Sequence, residues 1–66
     1  MTRIGILGAG WIASDHAAVL AKRDDVEVVA VCDLDLARAE RLAGGAAAYE
    51  RWHELLDRER PDAIWV

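Results

Sequence analysis

The sequence predicts an α/β fold built on a doubly wound parallel sheet. Three observations carry that reading. Short, largely apolar runs lie at Ile4–Leu7, Val26–Cys32 and Ala63–Val66, and the β-branched run Val26–Cys32 reads as continuous rather than alternating, as in a strand covered on both faces. Segments with apolar residues at helical spacing lie between the runs. The first run passes into its helix through Gly8-Ala9-Gly10-Trp11-Ile12-Ala13, a GxGxxA turn of small residues.

Each element follows from local chemistry. Arg3 to Leu7 reads as a buried strand ended by Gly8, and Ile12, Ala13, Ala17 and Leu20 form the apolar stripe of a helix from Trp11 to Lys22. Asp24-Asp25 makes a turn into the β-branched strand Val26 to Cys32. Asp35 is a good N-cap for a helix through Ala43, with Leu36, Ala39 and Ala43 on one face and Gly44-Gly45 ending it in the left-handed conformation. Ala46 to Tyr49 is a brief strand. Arg51 to Arg58 is a helix with Trp52, Leu55 and Leu56 facing the sheet, and Pro61 blocks its extension before the strand Ala63 to Val66.

The order βαβαβαβ with right-handed crossovers gives a partial Rossmann sheet of strand order 3-2-1-4, truncated after its fourth strand. The fourth strand is normally interior, and ending at Val66 leaves an apolar edge unpaired. Residues 1–66 therefore read as the N-terminal part of a dinucleotide-binding domain, with the rest of that domain and a substrate domain lying outside them.

Composition narrows the function. At 66 residues the core is thin, since a domain of about 60 residues buries only about 60% of its unfolded surface. Cys32 is the single cysteine, so no disulfide reinforces the chain, and no Cys/His cluster has metal-site spacing. A reducing, cytoplasmic setting is expected. The net charge of −4 is distributed without a basic block, which argues against nucleic acid. Ile4 to Leu7 is too short for a signal peptide or a membrane span. A small soluble ligand remains.

The glycine turn suits a dinucleotide. Gly8 lets the strand turn sharply, Gly10 lets the backbone approach a pyrophosphate, and Ala13 keeps helix and strand close. Amides of Trp11 and Ile12, in the first helical turn, favour an anion without any lysine. Ala9 completes the loop. Asp33, about twenty residues on and at the end of the second strand, is placed to accept hydrogen bonds from both adenosine ribose hydroxyls, with Leu34 beside it. Its charge repels a 2′-phosphate and favours NAD over NADP. Arg38, one turn into the next helix, can either swing toward such a phosphate or remain a solvated residue near Asp35.

Other polar residues have simpler readings. His16 shares the apolar stripe of the first helix and reads as a packed histidine. Cys32 reads as a small hydrophobe in a buried strand, and His53 as an exposed helix residue. Trp52 and Trp65 read as core anchors. The cluster Glu54, Asp57, Arg58, Glu59 and Arg60 reads as a solvated face.

Taken together, Arg3 through Ala13, His16, the strand Val28 to Asp33, and Tyr49 through Leu56 leading to Pro61-Asp62-Ala63-Ile64-Trp65-Val66 closely resemble the N-terminus of the Gfo/Idh/MocA oxidoreductases. The resemblance spans the whole chain. It implies that a full-length relative binds NAD or NADP and transfers hydride between the nicotinamide and a sugar, cyclitol or related alcohol. Gly8, Gly10, Trp11, Ile12 and Asp33 match the family's cofactor positions. The family's Glu-Lys-Pro lysine and Asp-x-x-x-His pair lie beyond this segment, and the single lysine here, Lys22, is followed by Arg23, so no catalytic residue is assigned. The resemblance also implies a C-terminal α/β domain that orients substrate and forms a homo-oligomer interface. The alternative is a non-catalytic module that senses NAD(H) for a partner. S-adenosylmethionine binding is disfavoured, because Ile12 stands where that turn usually carries a third glycine.

Overall fold

The computed structural model describes residues 1–8, 18–20 and 22–66. Strand β1 (Thr2–Leu7) is followed by helical residues 18–20 and by strand β2 (Val26–Cys32). Helix α1 (Leu36–Ala43), strand β3 (Ala47–Tyr49), helix α2 (Trp52–Glu59) and strand β4 (Ala63–Trp65) complete the order. The sheet runs β3-β2-β1-β4 with every pairing parallel, the order expected from sequence.

Capping chemistry sets the bounds of α1. Asp35 has extended backbone and its carboxylate accepts the Arg38 N–H, while Gly44 at φ 55° closes the other end by donating its N–H to the Glu40 carbonyl. Helix α2 ends in the same left-handed way at Arg60, φ 45°, with Pro61 next.

Two apolar clusters flank the sheet. On one face Ile4, Ile6 and Val31 pack with Leu20 and Ala39, joined by Leu42 and Ala43. On the other, Ala30 and Cys32 pack with Leu55, joined by Leu7, Val29 and Leu56. Alternate residues of β1 thus serve opposite faces, as the pleat requires. Strand β2 breaks that alternation. Its pairing with β1 steps from Ile4–Val28 to Gly5–Ala30, so Val29 is an extra residue in a bulge, and Val29 and Ala30 both join the α2 face.

Gly5 has a packing reason that the strand pattern hides. A Cβ there would stand 2.8 Å from Leu55 Cδ2 and 3.1 Å from Ile64 Cδ1, so the missing side chain is what lets α2 approach the sheet. At the N-terminal end of the strands, Arg3 and Asp62 exchange hydrogen bonds: the Arg3 N–H donates to Asp62 Oδ2 at 2.8 Å, and the Asp62 N–H donates to the Arg3 carbonyl at 2.7 Å. The Arg3 guanidinium reaches Glu59 at 3.7 Å, and Glu59 also accepts the Tyr49 hydroxyl at 2.5 Å.

Three expectations need correction. Trp52 is not a core anchor: it is 50% exposed, because Leu55 takes the position against the sheet while Trp52, first in α2, borders a cleft beyond the strand ends. Trp65 is 40% exposed, since β4 has β1 as its one strand neighbour among the described residues. Leu36 is also exposed, and Leu42 joins Ala39 and Ala43 in the buried line of α1.

Candidate functional site

In a parallel sheet every strand-to-helix loop emerges at the same end, and ligands settle outside the carboxyl ends of the strands where the order reverses. Here that reversal falls at β1, which lies between β2 and β4. Ladder bonds continue just past the strands and align their exits. The Gly8 N–H donates to the Cys32 carbonyl at 2.7 Å, and the Asp33 N–H donates to the Tyr49 carbonyl at 3.0 Å. Gly8, Asp33 and Glu50 are thereby brought to one rim.

Local geometry then fixes the functional groups. Gly8 sits at φ 93°, a conformation that favours glycine, and no atom of the described residues lies within 4 Å of where a Cβ would be. The half-buried Asp33 accepts the Asp35 N–H at Oδ1, 2.7 Å away, an Asx turn that holds its carboxylate at the end of β2. Asp35 in turn caps α1, so one short segment orients both the carboxylate and the helix.

These groups border a cleft of about 600 Å³, a size suited to a small ligand. Leu7, Gly8 and Cys32 line it from the strand ends, Asp33 and Leu34 from the loop after β2, Glu50 and Arg51 from the loop after β3, and Trp52 and His53 from the first turn of α2. The Trp52 and His53 rings stack with centroids 3.7 Å apart and planes inclined by 29°. Burial, and then the neighbouring Asp33 charge, push the Cys32 thiol above its ordinary range, which favours its neutral form.

Of the residues singled out from sequence, Gly8, Asp33 and Leu34 meet in the cleft. Arg38 is exposed on α1 and is not among the cleft-lining residues. Ala9, Gly10, Trp11, Ile12, Ala13 and His16 lie outside the described residues. Residues 50–53 were not singled out as cleft residues. Their signal was topological: they follow a parallel strand directly, so their loop must share the rim with Asp33. Among the described residues no group of three or more His, Cys, Asp or Glu side chains could hold a metal ion, and no helix is long and apolar enough to cross a membrane.

The family model described as an oxidoreductase family with an NAD-binding Rossmann fold, Gfo/Idh/MocA, matches residues 2–66. The chain belongs to this family. Gfo/Idh/MocA relatives include the D-glucoside 3-dehydrogenase of Escherichia coli K12, 38% identical across 97% of this chain and 19% of that protein. The inositol 2-dehydrogenase of Salmonella typhimurium LT2 is 42% identical over 97% of this chain and 20% of its own length. A crystal structure from Sinorhizobium meliloti 1021, of a protein assigned as a myo-inositol dehydrogenase, superposes with a TM-score of 0.83 at 32% identity, covering 97% of this chain and 20% of that one. The chain spans about a fifth of the length of the relatives it matches. Membership in Gfo/Idh/MocA, a family with an NAD-binding Rossmann fold, accounts for the parallel sheet and its 3-2-1-4 order.

Proposed function

We propose that this chain holds the adenosine and pyrophosphate end of NAD in a dehydrogenase of sugars, cyclitols or related alcohols. The observation that carries the reading is the Asp33 carboxylate, held at the end of β2 by the Asp35 N–H and facing a cleft of suitable volume. Asp33 accepts the adenosine ribose hydroxyls and disfavours a 2′-phosphate, so NAD is preferred over NADP. Gly8 turns the chain out of β1, Gly10 admits the pyrophosphate, Ala9 completes the loop, and the amides of Trp11 and Ile12 donate to it. Leu34 lends apolar surface beside the ribose, and Arg38 serves as a solvated residue of α1.

The nicotinamide, when bound, supplies the hydride chemistry. This segment binds and orients; the proton acceptor and the substrate surface belong to sequence beyond residue 66, in the remainder of the domain and a substrate domain that also forms a homo-oligomer. The named activities of the relatives support a polyol or sugar substrate. The lone buried thiol of Cys32 is in keeping with the cytoplasm.

The test is a titration of NAD and NADP into the full-length protein and its Asp33→Ala variant. Hydrogen bonds to a charged group are worth roughly 1.5–3 kcal/mol, so NAD affinity falls about 10- to 150-fold while NADP affinity changes less. An unchanged NAD/NADP ratio overturns the ribose assignment.

A further inference from the structure

We propose that Trp52, backed by His53, is the base-stacking wall of the cleft and takes the adenine ring of the cofactor. The inference rests on the cofactor reading of the same cleft and adds to it a residue from a different element, the start of α2.

Trp52 is out of place as a core residue. It opens an amphipathic helix whose Leu55 is fully buried and whose Leu56 is partly so, yet half of its surface is exposed. That surface borders the cleft holding Asp33 and Leu34. The His53 ring stacks on the Trp52 ring, with centroids 3.7 Å apart. A half-exposed indole that lines a cleft beside a second stacked ring is a platform for a flat heteroaromatic ring. The ribose hydroxyls assigned to Asp33 fix where such a ring must lie, because the base is joined to that same ribose. Leu34, 88% exposed on the loop after β2, adds a second apolar surface within the cleft. Asp33 thus recognises the sugar, and Trp52 the base, from segments that follow adjacent parallel strands.

The experiment compares full-length parent, Trp52→Ala, Trp52→Phe and Asp33→Ala in titrations with ADP-ribose, which carries the adenosine, and with reduced nicotinamide mononucleotide, which lacks it. Stacking a base on an aromatic side chain is worth about 5- to 150-fold in affinity by alanine substitution. Trp52→Ala is expected to weaken ADP-ribose by that factor and leave the mononucleotide unchanged, while Trp52→Phe retains most of the ADP-ribose affinity. Because Trp52 is half exposed, both variants are expected to keep the parent's circular dichroism. If ADP-ribose binds Trp52→Ala as well as parent while Asp33→Ala weakens it, the platform is wrong and the ribose assignment stands. If Asp33→Ala also binds as parent does, the cofactor reading of the cleft falls with it.

Discussion

Asp33 and Gly5 illustrate two kinds of residue with different legibility. The position of Asp33 at the cleft was readable from sequence because it follows from a spacing alone: an acid at the end of the second strand, about twenty residues past a glycine turn. Gly5 was not, because the atoms that exclude a side chain there, Leu55 Cδ2 and Ile64 Cδ1, lie some fifty residues or more along the chain. Both neighbours are branched tips, but Leu55 is fully buried and has little room to turn away. Gly5→Ala is therefore expected to destabilise the fold by about 1–3 kcal/mol, the usual cost of overpacking a tight core. A urea titration checks this; a variant as stable as the parent would show that α2 can shift freely over β1. Tyr49 offers a further expectation at this scale. Its hydroxyl donates to Glu59, and that hydrogen bond first, with burial second, holds the phenol above its ordinary value. The neutral phenol is thus favoured by folding. The stabilisation it brings is complete below the unfolded value of about 10 and is lost as pH rises through the higher folded value. Thermal melts of parent and Tyr49→Phe should differ most at neutral pH and converge above about pH 10; a gap that widened with pH would contradict the assignment.

Among the elements, those with chemical punctuation were read to within a residue or so. Asp35 and Gly44 mark the ends of α1, and Pro61 separates α2 from β4, because caps and prolines act locally. The bulge at Val29 left no such mark: a run of small and β-branched residues fits any register, and the extra residue is visible only against β1. The exposure of Trp52 was hidden for a related reason, since helical spacing assigns it to the Leu55 face but does not reveal that the strands end beneath it. Asp35 separates two roles of one segment. Asp35→Ala removes the side-chain cap and should cost about 1 kcal/mol, seen as faster amide hydrogen exchange through α1. The backbone N–H that Asp35 donates to Asp33 survives this change, so NAD affinity should move little. A loss of affinity matching that of Asp33→Ala would mean that the cap, not the turn, holds the carboxylate.

At the scale of the whole molecule, strand order was legible and site composition only partly so. Alternating elements with one handedness of crossover leave few topologies, and the 3-2-1-4 order is one of them. The same topology gathers the loops after β1, β2 and β3 at one end, which is how residues 50–53 enter a cleft that motif spacing alone assigned to Gly8 and Asp33. Strand β4 carries the opposite lesson. Ile64 and Trp65 of β4, one of the two edges of the described sheet, are 37% and 40% exposed, and Val66 just past it is 90% exposed. A chain of these 66 residues by itself should associate through that apolar edge at micromolar concentration. Light scattering would detect the association, and Ile64→Lys should suppress it. Equal scattering from both would point to another surface.

The central claim, that the Asp33 cleft receives the adenosine of NAD, is tested most directly by a crystal structure of the full-length protein grown with NAD. The account expects both adenosine ribose hydroxyls at about 2.5–3.0 Å from the Asp33 carboxylate oxygens, with the adenine against the Trp52 ring. A ribose bound away from Asp33, with the carboxylate still turned to the Asp35 N–H and nothing in the cleft, would contradict it.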